Sequence, residues 1–452
     1  MNYNQDISSK LPEPVRDSLF DSLDNLNEYK LEFLKNCSRE YHELIPLQIG
    51  QIQAILLNCP NYIEQIFKDR KIFTMSPDVR VHLQRLLGEG ILLKEGDLWL
   101  RQRRMNQPIF QQKQIINYAD TVVECVKCML DTWQHDEIRD IQPDMLRLTL
   151  KIIWKIIFNQ YLTNEEAQDI EYVLAKTTGF LENKDSEKFN NREPASIPED
   201  LHYESILKQM DGYIYSHIKQ RRQNTEYSDD LVSMLIQASY EDGSQMSDKQ
   251  VRDEVVNLIL AGQEAVAVAL SWTFILLSLH PQSQTRLLAE LNEVLENHSP
   301  SIADLPRLSY TDWVIKESMR LYPPIPIMII STNEDYEIGG YKVPANYPFI
   351  ISAWTMHRHP QYFKEPDTFN PERWSDSLEK QLPKGTYFPF GEGSRICLGK
   401  YFAQMLIVLI ISTIIQEYEL KLIPNFQLIL WSTLTLRSKE GVPVILKKRN
   451  KF

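Results

Sequence analysis

The chain has no excess of positive charge. Its 452 residues carry 61 acidic against 49 basic side chains, a net charge of −12, which argues against general nucleic-acid binding. Cysteines are few and odd in number, Cys37, Cys59, Cys125, Cys128 and Cys397, so no disulfide framework is expected. No apolar run reaches bilayer length. The longest, "MLIVLIISTII" at 405–415, falls short of the roughly 20 residues a spanning helix needs. The opening, "MNYNQDISSKLPEPVRDSL", is polar and acidic, and reads as neither signal peptide nor membrane anchor. These absences predict a cytoplasmic protein with no integral membrane segment. Length alone suggests two domains, because single cores stop growing near about 250–300 residues. Yet no Gly/Ser-rich or Pro-rich linker cuts the middle, and no internal repeat occurs.

What is present is mostly helical periodicity with small strand patches. "LIPLQI" and "IQAILLN" read as a hairpin, and "CPNYIEQIFKD" as a helix with Pro60 in its first turn. "YEIGGYKVP" reads as a second hairpin turning at Gly339-Gly340. The polar stretch 182–200 reads as a surface loop. The pair Cys125 and Cys128 has no second pair to complete a metal site, and lies one helical turn apart in an amphipathic segment.

One predicted helix stands out. Ser247 followed by Gln250 is a capping-box pattern, and no proline interrupts the chain until Pro281. The centre reads "LILAGQEAVAVAL", apolar except for Gln263 and Glu264. A lone buried carboxylate costs several kcal/mol, on the order of 2–7, unless water or a partner solvates it. Glu264 is therefore either a functional group or a core residue that reaches a polar edge.

The segment "FPFGEGSRICLGKYF" sets Cys397 between glycines at the mouth of a run, 398–419, that reads as a buried helix. Backbone N–H groups at that helix start can point at sulfur and lower the thiol's proton affinity. Gly391, Gly393 and Gly399 let the backbone approach a flat partner, and Arg395 adds a fixed positive charge. Three readings compete. A structural cysteine is the plainest. A nucleophile needs a nearby histidine, which the local sequence does not supply. A haem-thiolate ligand accounts for glycines, arginine and cysteine together.

Phe390, Gly393, Arg395, Cys397 and Gly399 stand at the spacing of the cysteine-loop signature, and the segment resembles that of the cytochrome P-450 superfamily. Other stretches follow in the family's order. "ESMR" supplies Glu317 and Arg320, and "FNPERW" supplies Arg373, which the resemblance joins in a buried charge network. "WLRQR" supplies Trp99 and Arg103, implied to bind a haem propionate, and "AGQEA" aligns Ala261 and Gly262 with the family's oxygen groove. The resemblance implies a mainly α, triangular fold with small β-sheets. It makes residues 1–452 one oxygenase domain, with a β-rich N-terminal region and a large α-rich region. It implies haem b held by Cys397, with Trp99, Arg103, Arg395, Phe390, Gly399, Ala261 and Gly262 around it.

Two departures matter. Where the family usually has threonine after the acid, this chain has Ala265, followed by Val266. The missing alcohol normally helps deliver protons for oxygen cleavage, so Gln263, Glu264, water or a substrate group must serve. The family also often has a propionate-binding arginine at the position of Ile330. By the family's layout the substrate meets "RLLGEGILL" (85–93), Ala261, Ala265, the wall Ile325, Ile327, Met328 and Ile329, and the turn 433–435 with Leu434. That lining favours a lipophilic small molecule. The resemblance implies a dioxygen-using oxidase or monooxygenase of secondary metabolism, acting by hydroxylation or radical oxidative coupling. Fatty-acid hydroxylation, with Arg80 or Arg85 holding a carboxylate, stays open, as does a non-catalytic haem sensor or binding protein. The chain has no flavin or iron–sulfur region, so electrons come from an external ferredoxin or flavodoxin with its reductase. Arg101, Arg103, Arg104 and Lys400 form the expected docking patch.

Overall fold

The computed structural model describes residues 13–17, 26–50, 52–69, 77–179, 200–223, 230–432 and 434–449. The opening residues 1–12, most of the polar stretch (182–199) and Thr433 lie outside these. Six helices frame the site: α1 (Pro77–Leu87), α2 (Gly96–Asn106), α3 (Ile141–Phe158), α4 (Asp248–Leu279), α5 (Ser309–Leu321) and α6 (Lys400–Glu417).

Helix α4 is the long helix the sequence predicts, 32 residues in length. Its capping box is closed from both sides: Gln250 N–H donates to Ser247 Oγ at 3.2 Å, and Ser247 N–H donates to Gln250 Oε1 at 2.9 Å. Pro281 ends it by starting the next helix, Pro281–Leu295, where its missing N–H is no loss. Helix α6 is shorter at both ends than the predicted run. Gly399 caps it, and Tyr418 is drawn into antiparallel pairing with Lys448.

The predicted hairpins form. Leu44–Ile49 pairs with Ile52–Leu57 from Leu44↔Leu57 to Ile49↔Ile52, and Tyr336–Ile338 pairs with Tyr341–Val343 across the two glycines. The first hairpin is extended into a five-stranded sheet by Val15–Arg16 on one side, and by Phe349–Ser352 and then Ile327–Ile330 on the other. Ile55, Leu56 and Leu57 are all buried because both sheet faces are covered. A C-terminal hairpin, Leu430–Ser432 with Leu436–Ser438, carries the turn at Leu434 and Thr435, and Leu26–Asn27 pairs on its outer side.

One apolar cluster reaches from Leu31 to Leu446, with two satellites against the five-stranded sheet. Helices α4 and α6 are long and apolar enough to cross a membrane by length and composition, and both are mostly buried within the fold. Burial explains their composition: an element enclosed on all sides has no face that needs to be polar.

Candidate active site

The cysteine segment is held by its own backbone. Cys397 N–H donates to Phe390 O at 2.9 Å, closing the loop on which the sulfur sits. The Gly399 N–H points at the sulfur, as a helix start should provide. The net effect on the thiol is nevertheless opposite to the sequence expectation. Burial pushes its pKa up, and Gly399, Arg103 and Lys400 only partly oppose this. Cys397 keeps exposed surface although its thiol is strongly desolvated. The two facts agree if that surface faces an enclosed space rather than bulk water. All five cysteines are free. Gly393 has a role other than the predicted one. Its φ is +67°, and a Cβ there would fall on the Phe67 carbonyl, so it lets the loop meet the helix Pro60–Lys68 rather than a ligand. Gly391, with φ +68°, has open space where its Cβ would be.

Trp99 and Arg103, one turn apart on α2, reach the same place. The Arg103 guanidinium donates to Ile396 O at 2.9 Å, next to Cys397. Trp99 lies within reach of both guanidiniums, 5.4 Å from Arg103 and 4.5 Å from Arg395 to its ring centre. Arg395 donates to Lys94 O at 3.2 Å. Burial brings Arg395 down to about 10; Glu95 opposes the shift, while Arg103 and Arg80 add to it. Desolvated like charges gathered beside a thiol suit a cofactor bearing carboxylates. The donor chemistry here fits haem: a thiolate for iron and guanidiniums for propionates. Iron would also favour the thiolate that burial alone disfavours.

On α4, Leu258, Ala261, Gly262 and Ala265 keep accessible surface in a stretch, 251–277, that is otherwise buried. Their spacing, i, i+3, i+4 and i+7, makes one stripe. Gly262 also lets α3 approach, since a Cβ would stand 2.8 Å from Ile153 Cδ1. Gln263 is buried and donates to Leu146 O of α3 at 3.3 Å. Glu264 is not alone: Thr435 Oγ donates to its Oε1 at 2.6 Å, and Arg437 forms an ion pair with the same oxygen. Sequence reasoning missed Arg437. Nothing local joins two residues 173 positions apart.

The aliphatic wall divides. Ile325 and Ile329 are exposed and Ile327 is half-buried, whereas Met328 packs with Ile330 into the satellite cluster around Phe349 and Ile351. Strand alternation turns Met328 away from its neighbours, which corrects its predicted place beside them. Leu434 is half-buried at the C-terminal turn. Arg80 pairs with Glu95, and Arg85 with Glu204. The basic patch is also partly offset: Arg101 pairs with Asp242 at 3.3 Å, Arg104 with Glu241, and Lys400 lies 4.0 Å from Glu379.

The charge network predicted around α5 forms. Arg320 donates to both Glu317 oxygens, at 2.9 and 2.8 Å, and Arg373 Nε donates to Oε1 at 2.9 Å. Trp374 Nε1 and Asn370 N–H complete the shell, each at 2.9 Å. Arg320 also donates to His357 O and Pro366 O, at 2.9 and 2.6 Å, tying α5 to the segment that leads into the cysteine loop.

The family model described as Cytochrome P450 matches residues 19–439. Among curated proteins, a cyclooctat-9-en-7-ol 5-monooxygenase from Streptomyces melanosporofaciens is 30% identical over 87% of this chain and 86% of its own length. Cyclooctatin synthase from the same organism is 28% identical over 87% and 86%. Pentalenene oxygenase from Streptomyces avermitilis is 26% identical over 87% and 88%. The match runs through the helices and loops that carry the thiol, the guanidiniums and the open stripe, and the chain belongs to the cytochrome P450 family of haem-thiolate monooxygenases.

Proposed function

We propose that the protein hydroxylates an apolar cyclic hydrocarbon, or its mono-alcohol, in the tailoring of a secondary metabolite. The observation that carries this reading is the character of the accessible side chains: Leu258, Ala261, Ala265, Ile325 and Ile329 are all aliphatic. The similar Streptomyces proteins are named for a cyclic alcohol and a cyclic hydrocarbon. Fatty-acid hydroxylation is less well supported, because Arg80 and Arg85 are already paired with acids. Residues 1–452 act as one oxygenase domain in this reading, in keeping with the single main cluster from Leu31 to Leu446.

Haem, when bound, supplies the family's dioxygen-activating, one-electron chemistry. Cys397 would hold the iron, and Trp99, Arg103 and Arg395 the propionate edge. Phe390 and Gly399 shape the loop, and Ala261 and Gly262 give the close face of α4. Glu264 holds or passes a proton at Oε2, the oxygen left open while Oε1 accepts from the Thr435 hydroxyl and pairs with Arg437, in place of the alcohol missing at Ala265. Gln263 keeps α3 and α4 in register at that point. Ile325, Ile327 and Leu434 face the substrate. Electrons arrive from a ferredoxin or flavodoxin docking near Arg101, Arg104 and Lys400, in the cytoplasm.

The test is turnover by the haem-loaded protein with a ferredoxin, its reductase, NADPH and either pentalenene or palmitate. A hydroxylated hydrocarbon is expected, with a low-spin to high-spin shift on binding. Oxidation of palmitate alone would reverse the assignment.

A further inference from the structure

Four polar side chains are buried side by side on the early turns of α4. Arg252, Asp253, Glu254 and Asn257 are each at most 5% exposed. Burying such groups is costly unless each finds a partner. Their partners are not chiefly one another but the backbone at the end of α1 and of the irregular segment that joins it to α2. Asp253 Oδ2 accepts from Glu89 N–H at 2.9 Å, Glu254 Oε2 from Ile91 N–H at 3.4 Å, and Asn257 Oδ1 from Leu92 N–H at 3.0 Å. In return Arg252 and Asn257 donate to Leu86 O and Leu87 O, each at 2.8 Å. Asn257 thus bridges both ends of the turn.

The segment is shaped to receive them. A Cβ at Gly88, where φ is +58°, would fall on the Asp253 carboxylate, and one at Gly90 would fall on the Asn257 amide. Only glycine admits these side chains at this distance. From α2, Gln102 holds Glu89 O at 2.9 Å, and Asn106 donates to Glu254 Oε2 at 3.0 Å.

The position gives this arrangement a use. Glu254, Leu258, Ala261 and Ala265 follow one another at helical spacing, so the stripe that grips the segment runs directly into the open stripe of the site. The other end of the same segment is held by Arg395 through Lys94 O. The segment therefore forms a strap from α4 to the cysteine loop, along the edge of the substrate space.

We propose that Asp253, Glu254 and Asn257 are positioning residues that clamp residues 86–93 onto α4 and so set the width of the substrate cavity. This rests on the reading of that cavity as the substrate site. The hydrogen bonds fix an irregular backbone that would otherwise sample many conformations. Burial pushes the Glu254 carboxyl up to about 8, so glutamine is a close mimic of its neutral form.

The test uses ferric holoenzyme and two probes that bind iron without turnover, imidazole and 4-phenylimidazole, with hydrogen exchange of residues 86–93 followed alongside. Asn257→Ala should speed exchange in the strap and change the ratio of the two dissociation constants about tenfold in favour of the larger probe, since one buried hydrogen-bonding group left unpaired is worth on the order of 1–3 kcal/mol. The thiolate-type carbon-monoxide spectrum should be retained. Glu254→Gln should leave both readouts near wild type, whereas Glu254→Ala should move them as Asn257→Ala does. Faster exchange with an unchanged ratio would overturn the link to cavity width, and unchanged exchange would overturn the clamp itself. Neither outcome depends on which hydrocarbon is oxidised, so failure here is separable from failure of the proposed reaction.

Discussion

Glu317 and Glu264 are both carboxylates on buried faces of helices, and they are satisfied to different degrees. Glu317 receives two guanidiniums, an indole N–H and a backbone N–H, spread over both oxygens. Glu264 receives one hydroxyl and one guanidinium, both on Oε1. A saturated carboxylate has every reason to stay where it is. One held through a single oxygen keeps the other available for exchange. The contrast sets a structural anchor beside the group proposed to handle protons, although both are acids on core helices.

The largest effect should come from the saturated site. Glu317→Ala leaves Arg320 buried without its anion, at a cost of about 3–5 kcal/mol, read by denaturant unfolding and by haem retention. The site also predicts a pH dependence. Burial alone would raise the Glu317 pKa, but hydrogen bonding and charge from Arg320, then the charge of Arg373, outweigh it and hold it below the usual carboxylate range. Its contribution is therefore fully present above the unfolded carboxylate value, about 4.3, and is lost as pH falls through the lower folded value. Acid unfolding of Glu317→Gln should be correspondingly flatter than wild type. Equal acid slopes would place the stabilising charges elsewhere.

At Glu264 the expectation inverts, with a large kinetic effect and a small thermodynamic one. Glu264→Gln keeps an acceptor for Thr435 but removes the charge facing Arg437. Single-turnover oxidation should slow by about 10²-fold, while stability changes by about 1 kcal/mol and haem stays bound. A variant that unfolds as readily as Glu317→Ala, with an unimpaired rate when folded, would make Glu264 a second anchor.

The same contrast marks what sequence could reveal. Glu317 and Arg320 lie one turn apart, and Arg373 sits in a recognisable stretch, so their meeting was legible. So were the capping box at Ser247, both hairpins, and the convergence of Trp99, Arg103 and Arg395, all short-range or carried by the family's spacing. Arg437 was not legible, because its partner is on another element and only the folded C-terminal hairpin delivers it. Nor was the reason for Gly88, Gly90 and Gly393, which serve neighbouring protein rather than cofactor. Met328 was misplaced because the run "PIPIMII" does not disclose which residues alternate inward until the strand is paired. The thiol's raised pKa was missed because local donors are visible in sequence and desolvation is not.

A smaller effect is expected from Ala265→Thr, which adds a hydroxyl on the open stripe beside Glu264. If Thr435 is an imperfect stand-in, product per reductant should rise and hydrogen peroxide fall, most clearly with poor substrate analogues. No change with any substrate would leave residue 265 as pocket wall. The smallest intrinsic effect lies at the exposed pairs. Arg101→Glu with Arg104→Glu breaks contacts worth about 0–1 kcal/mol to the fold, yet should weaken ferredoxin-supported turnover, most at low salt where screening is least. Peroxide-supported turnover should be spared. Equal loss in both assays would mean damage to the fold rather than to docking.

The whole reading stands on Cys397 as the axial thiolate. The most direct test is the spectrum of the reduced carbon-monoxide adduct of the haem-loaded protein, taken beside that of Cys397→Ser. The wild type should show the long-wavelength band of a thiolate-bound haem, and the serine variant should lack it. A wild-type spectrum like that of a histidine-bound globin, or a band that survives in Cys397→Ser, would contradict the assignment.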